Sequence, residues 1–180
     1  MANKGNSERL VGAPDSLQDV VALNGPEFYG TLVSGITLNK ISKEKSDLYD
    51  EITIPVELKD RYLSEGWHFH KQLKDHIVMH KDKKPDEVFE NEVWVLFKRL
   101  NFLQMNKDRN FKIKDDPATK QIDVFAKDDY NIFVIFCTTN NSISLKDEIR
   151  KISDLKKEIS LAIKNFYIKK FRISFLLVTR

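Results

Sequence analysis

Gln121-Ile122-Asp123-Val124-Phe125-Ala126, followed across Lys127-Asp128-Asp129-Tyr130-Asn131 by Ile132-Phe133-Val134-Ile135-Phe136-Cys137-Thr138, is the stretch on which the fold turns. Apolar, largely β-branched and aromatic residues dominate both runs, and polar turn formers separate them. The pair therefore reads as two strands, at about 121–126 and 131–138. One carboxylate, Asp123, stands between Ile122 and Val124. Aspartate is disfavoured inside strands, which points to a site residue; a strand-edge or turn-directed carboxylate is the alternative.

Upstream, Lys84-Pro85-Asp86-Glu87 places proline and acids where a first helical turn accepts them, and Phe89, Val93, Leu96, Phe97 and Leu100 recur at helical spacing. This predicts a helix at about 85–100, followed by a strand at about 109–114 ahead of the Asp115-Asp116-Pro117-Ala118-Thr119 break. Downstream, Asn140, Asn141 and Ser144 are turn and cap residues. Leu145, Ile149, Ile152, Ile159, Ile163 and Phe166 then share one helical face, giving a long amphipathic helix over 145–166. Phe171-Arg172-Ile173-Ser174-Phe175-Leu176-Leu177-Val178 reads as a buried strand. A chain that ends so soon after a core strand reads as the front part of a longer protein.

The first half is less patterned. Residues 1–25 read as a loosely held segment, Tyr29–Leu38 as an irregular strand, and Ser42–Asp47 as a solvated linker or short helix. Pro55 opens and Gly66 closes a further helix. The expected division is an N-terminal extension over 1–58 and a domain over 59–180.

With 180 residues, 41% hydrophobic and 32% charged, the chain can bury one good core. No apolar run is long enough to span a bilayer, and the first residues lack the apolar stretch of a signal peptide, so the expected location is cytoplasmic. A single cysteine, Cys137, excludes an internal disulfide and a multi-thiolate metal site. A net charge of +3 neither demands nor excludes a nucleic-acid partner.

The order from residue 85 onward is helix, strand, strand, strand, helix, strand. With Phe89-Glu90, Val93-Trp94, Leu100-Asn101-Phe102 and the Asp123 strand, it resembles the PD-(D/E)xK, or restriction-endonuclease-like, superfamily. Within that group it is similar to the N-terminal nuclease-like region of bacterial DGQHR-domain proteins, which are associated with DNA modification and phage defence. The DGQHR pentapeptide itself is absent. The resemblance implies an α/β fold, a restriction-endonuclease-like αβββαβ core preceded by an additional N-terminal segment. It also implies a catalytic and metal-binding pair, Glu90 on the helix and Asp123 on the strand, holding Mg²⁺ for phosphodiester hydrolysis.

The family's third strand carries Glu-x-Lys, two groups on one side of a strand of period two. The matching positions are Phe136 and Thr138, which supply neither a metal ligand nor an ammonium. Two explanations stay open: migration of a catalytic group to Lys120, Lys146, Glu148 or Lys151, or loss of the metal site. Glu90 also has a plain role as a partner of the helix dipole.

Lys112, Lys114, Lys120 and Lys127 cluster on the hairpin and its turns and are expected to contact DNA, although exposed lysines on strands are also ordinary solubilising residues. His76 and His80 fit one face of a helix and His68 and His70 one face of a strand. Surface histidines are the preferred reading, since no third ligand is evident in sequence. Cys137 is read as a small buried thiol.

The leading expectation is thus a nuclease-like domain acting on or binding DNA, with a degenerate metal site and Mg²⁺ only if active. The alternative is a non-catalytic module that binds a partner protein or forms a homo-oligomer on the same scaffold.

Overall fold

The computed structural model describes residues 20–22, 29–113, 120–139, 142–167 and 169–180, with the backbone alone for 20–22 and 142–144. Of the segment expected at 1–25, residues 1–19 and 23–25 lie outside this set, as do Lys114, the 115–119 break, Asn140 and Asn141.

Alternation along one strand explains the architecture. In β8 (Asn131–Thr138), Ile132, Val134 and Phe136 enter one apolar cluster, while Phe133, Ile135 and Cys137 enter another. A strand apolar on both sides must be covered on both sides. Helix α4 (Ser142–Phe166) covers the first with Ile152, Ile159, Ala162 and Ile163. Helices α1 (Gly35–Ser46) and α3 (Pro85–Arg99) cover the second with Leu38, Ile41, Phe89, Val93, Trp94 and Phe97. The result is a mixed α/β fold.

The six-stranded sheet runs β1 (Val20–Ala22), β2 (Thr31–Ser34), β6 (Gln104–Asn106), β7 (Val124–Lys127), β8 and β9 (Arg172–Thr179) in spatial order. All neighbours are antiparallel except β8 and β9, which run parallel and are joined through α4. The β7–β8 turn is tied by Asp128, whose Oδ1 accepts from the backbone N–H of Tyr130 at 2.7 Å and of Asn131 at 2.6 Å. Between α1 and α3, β3 (Tyr49–Pro55), α2 (Lys59–Ser64), β4 (His68–Gln72) and β5 (His76–Asp82) build a separate three-stranded antiparallel sheet in the order β3-β5-β4.

Several expectations need correction. β7 begins at Val124, so Asp123 precedes the strand expected at 121–126; Pro55 ends β3 and α2 begins only at Lys59; and His76 and His80 lie on a strand, β5. The strand expected at 109–114 is displaced to Gln104–Asn106, because Met105 pairs with Ala126 there. Phe111 and Ile113 are buried as loop anchors, and their spacing imitates a strand; Lys112 forms an isolated bridge with Tyr29, outside any named strand. The irregular strand expected over 29–38 stops at Ser34, and Gly35, at φ 56°, opens α1. Leu96 and Leu100, which share the helical spacing of Phe89, Val93 and Phe97, are 53% and 59% exposed. β2 and α1, from the stretch expected as an extension, are built into the main sheet and its α3 face. Among the described residues, no helix is long and apolar enough to cross a membrane.

Candidate functional site

Helix α3 turns Phe89, Val93, Trp94 and Phe97 to the sheet, and the same inward stripe carries Glu90, only 8% exposed. A buried carboxylate needs compensation. Arg109, in the loop after β6, supplies it: Nη2 donates to Oε1 at 2.8 Å, and Nε lies 2.6 Å from Oε2 in an ion pair that lacks hydrogen-bond alignment. Burial, reinforced by the nearby charge of Asp123 and opposed by Arg109, raises the Glu90 carboxyl to about 7.

Asp123 sits immediately before β7. Its Oδ2 accepts the Cys137 backbone N–H at 2.7 Å. Burial raises its carboxyl, against that hydrogen bond and the charges of Lys120 and Arg109. Burial and the negative charges of Asp123 and Glu90 push the Cys137 thiol up, which disfavours the thiolate. The cleft beside these groups is lined by Asp86, Phe89, Glu90, Arg109, Cys137, Thr138 and Thr139. Thr139 Oγ1 donates to Asp86 Oδ1 at 2.8 Å, joining the end of β8 to the start of α3.

Asn106 places Asp123. Its Nδ2 donates to the Asp123 carbonyl and to the Asp108 carbonyl, both at 3.0 Å, and its Oδ1 accepts the Phe125 N–H at 2.9 Å. Its own carbonyl accepts Trp94 Nε1–H at 2.8 Å, tying α3 to the same point. Where the β6–β7 ladder ends, this side chain replaces the missing backbone partner. An asparagine closing the three-residue strand Gln104-Met105-Asn106 is the only sequence signal for it, and Arg109 leaves none.

On the opposite side of the sheet Phe136 is fully buried in the α4 cluster and does not line the cleft. Lys120 Nζ lies 5.4 Å from its ring centroid and pairs with Glu148, which Lys151 Nζ also approaches at 3.3 Å. The hydrogen bond from Lys120 lowers the Glu148 carboxyl. Of the residues considered as migrated groups, Lys120 and Glu148 both influence Asp123 electrostatically, Lys151 meets Glu148, and Lys146 is exposed.

These donors do not fit the Mg²⁺ ion that the resemblance implies. Both Glu90 oxygens face Arg109, one Asp123 oxygen is held by a backbone N–H, Phe136 offers no donor, and Glu148 is committed to two lysines. Arg109 gives Glu90 the positive partner that a cation would otherwise provide.

Of the four lysines expected at DNA, the three described ones lie apart from one another. Lys120 adjoins Asp123, and Lys112 is half-buried at the Tyr29 bridge. Lys127 lies at the other end of β7, roughly 13 Å along the strand. There its Nζ sits 5.0 Å from the Phe171 ring and 5.5 Å from the Tyr167 ring, and burial lowers its ammonium.

Comparisons of the chain with family models, with curated proteins and with solved structures each give no match. The fold and the site therefore define a mixed α/β protein in which a buried, arginine-paired carboxylate, Glu90, neighbours the half-buried Asp123.

Proposed function

We propose that residues 85–180 form a restriction-endonuclease-like core that binds DNA without cutting it, serving a bacterial defence or DNA-modification system. The observation that carries this reading is the coupling of Glu90 and Asp123, far apart in sequence, beside one polar cleft, with Arg109 on Glu90. A carboxylate pair at this place suits a nuclease ancestry, and its neutralisation by a guanidinium suits a site that no longer handles metal. Fold-level likeness alone does not fix chemistry, so the binding role rests on charge. Arg109 and Lys151 are partly exposed, and their unused N–H groups are available to phosphate oxygens. Lys146 and Arg150 extend the basic surface along α4.

Anisotropy titrations of the full chain with duplex and single-stranded oligonucleotides test this directly. With roughly two to four phosphates neutralised, affinity falls about 10- to 150-fold between 50 and 200 mM salt. Removing Lys146, Arg150 and Lys151 together flattens that dependence. Absence of binding at low salt overturns the proposal and leaves the protein-interaction module. That second reading has its own support in Leu48, Leu96, Leu100 and Leu103, which are 67%, 53%, 59% and 54% exposed, Leu48 and Leu96 sharing one groove.

A further inference from the structure

The three-stranded sheet is unequal on its two faces. Ile54, Ile77 and Met79 form a small core with Ile52, Tyr62 and Trp67. The other face collects Tyr49 and Glu51 from β3, His80 from β5 and His70 from β4. Register makes this possible: Glu51 pairs directly with His80 across β3 and β5. Between β4 and β5 the pairing steps from Phe69–Met79 to Lys71–Val78, leaving His70 as the extra residue of a bulge. Without the bulge His70 would oppose Val78. With it, the His70 ring reaches the His80 ring at 3.9 Å between centroids.

His80 Nε2 and Glu51 Oε2 are 2.9 Å apart, and ligand atoms of Glu51, His70 and His80 all lie within 4.8 Å of one another. Two imidazoles and a carboxylate are the donor types of three-ligand zinc sites, in which bond lengths of about 2.0–2.2 Å put ligand atoms roughly 3.3 Å apart. Exposed Glu51 and His70 side chains can close that difference by rotating about their χ angles. Each of the three strands contributes one donor, and the core on the opposite face requires none of them.

We propose that Glu51, His70 and His80 form a binding site for a zinc-class divalent cation, open to water at the remaining position. The competing account is a ring stack of Tyr49, His80 and His70 closed by an ion pair; it predicts no saturable cation binding. The site is independent of the DNA-binding reading.

The test is calorimetric titration of the full chain with Zn²⁺, together with the visible absorption of added Co²⁺. The expected result is one ion per chain. His70→Ala and His80→Ala each weaken binding at least 10-fold and Glu51→Gln weakens it less. His76→Ala, at the Pro55 end of β5, leaves it within about threefold. Circular dichroism confirms that the variants stay folded. Absence of saturable binding, or an affinity that survives loss of both His70 and His80, overturns the proposal.

Discussion

Glu90 and Glu51 are the same residue with a cationic or ionisable partner at hydrogen-bonding distance, yet their surroundings move them in opposite directions. Glu90 is buried beside Asp123, and desolvation raises it to about 7 despite Arg109. Glu51 lies on an open sheet face, and the hydrogen bond with His80 lowers it. Burial outweighs the partner in the first region and is too weak to do so in the second. The main-sheet cleft is therefore a desolvated polar inclusion held by its scaffold, whereas on the histidine face Glu51 and His70 are exposed to water.

The largest effect should follow from breaking the scaffold of the cleft. Asn106→Ala removes three side-chain hydrogen bonds and leaves the Asp123 carbonyl and the Phe125 N–H without that partner. A loss of about 2–4 kcal/mol is expected from buried unsatisfied groups. Urea unfolding of the variant measures it. A change below the resolution of that experiment would place the cleft with the histidine face, as surface rather than scaffold.

A smaller effect, and a sharper one, is expected of pH. The Glu90 carboxyl is raised from 4.5 to about 7 in the folded chain, so between these values the native state holds more protons than the unfolded state. Stability therefore falls as pH rises from about 4.5 to 7, and the full penalty persists above that range. Glu90→Gln removes this contribution. The variant gains on the order of 1–2 kcal/mol relative to wild type at neutral pH, after allowance for solvent screening at the cleft mouth, and nothing below about pH 4. Chemical denaturation at several pH values checks both the sign and the window. A constant difference across that range would mean that Glu90 is not the group responsible.

Which parts of this contrast were legible in the sequence follows from what each depends on. β8 occupies the expected 131–138, and α3 and β9 fall within a residue of expectation, because periodicity and the Pro85 start are local signals. The expected strand at 109–114 failed because Phe111 and Ile113 alternate for tertiary reasons, as loop anchors against the core. Asp123 stood out as a lone carboxylate within an apolar run, although β7 itself starts only at Val124, while Glu90 drew attention only through resemblance. Arg109 and Asn106 act through contacts that no spacing encodes. The histidines were visible, but the four-residue spacing of His76 and His80 also fits one face of a helix. Their common strand, and the bulge that moves His70, arise from pairing between β4 and β5.

On the histidine face, the comparison predicts almost no effect on stability. Glu51→Gln breaks one exposed ion pair, and such pairs contribute little because water screens them and ordering opposes them. With a chelator present, the unfolding midpoint of the variant should not differ resolvably from wild type. A clear loss would show that the stack of Tyr49, His80 and His70 is a structural element of the small sheet.

The smallest expected effect is on catalysis, where we expect none. Phosphodiester cleavage of the implied kind needs several groups acting together, and such groups are not replaced piecemeal. Here the Glu-x-Lys positions hold Phe136 and Thr138, Phe136 is sealed into the α4 cluster, and Arg109 faces both oxygens of Glu90. Lys120 and Glu148 stand near Asp123, but their mutual ion pair ties up the charge each would bring to a reaction. Incubation with Mg²⁺ or Mn²⁺ and duplex or single-stranded DNA should therefore give no cleavage above an Asp123→Ala control. Metal-dependent cutting lost in Asp123→Ala or Glu90→Ala would reverse this reading. It would mean that substrate and metal together displace Arg109 from Glu90 and free Lys120 and Glu148, and Lys120→Ala would then be the variant that identifies the migrated group.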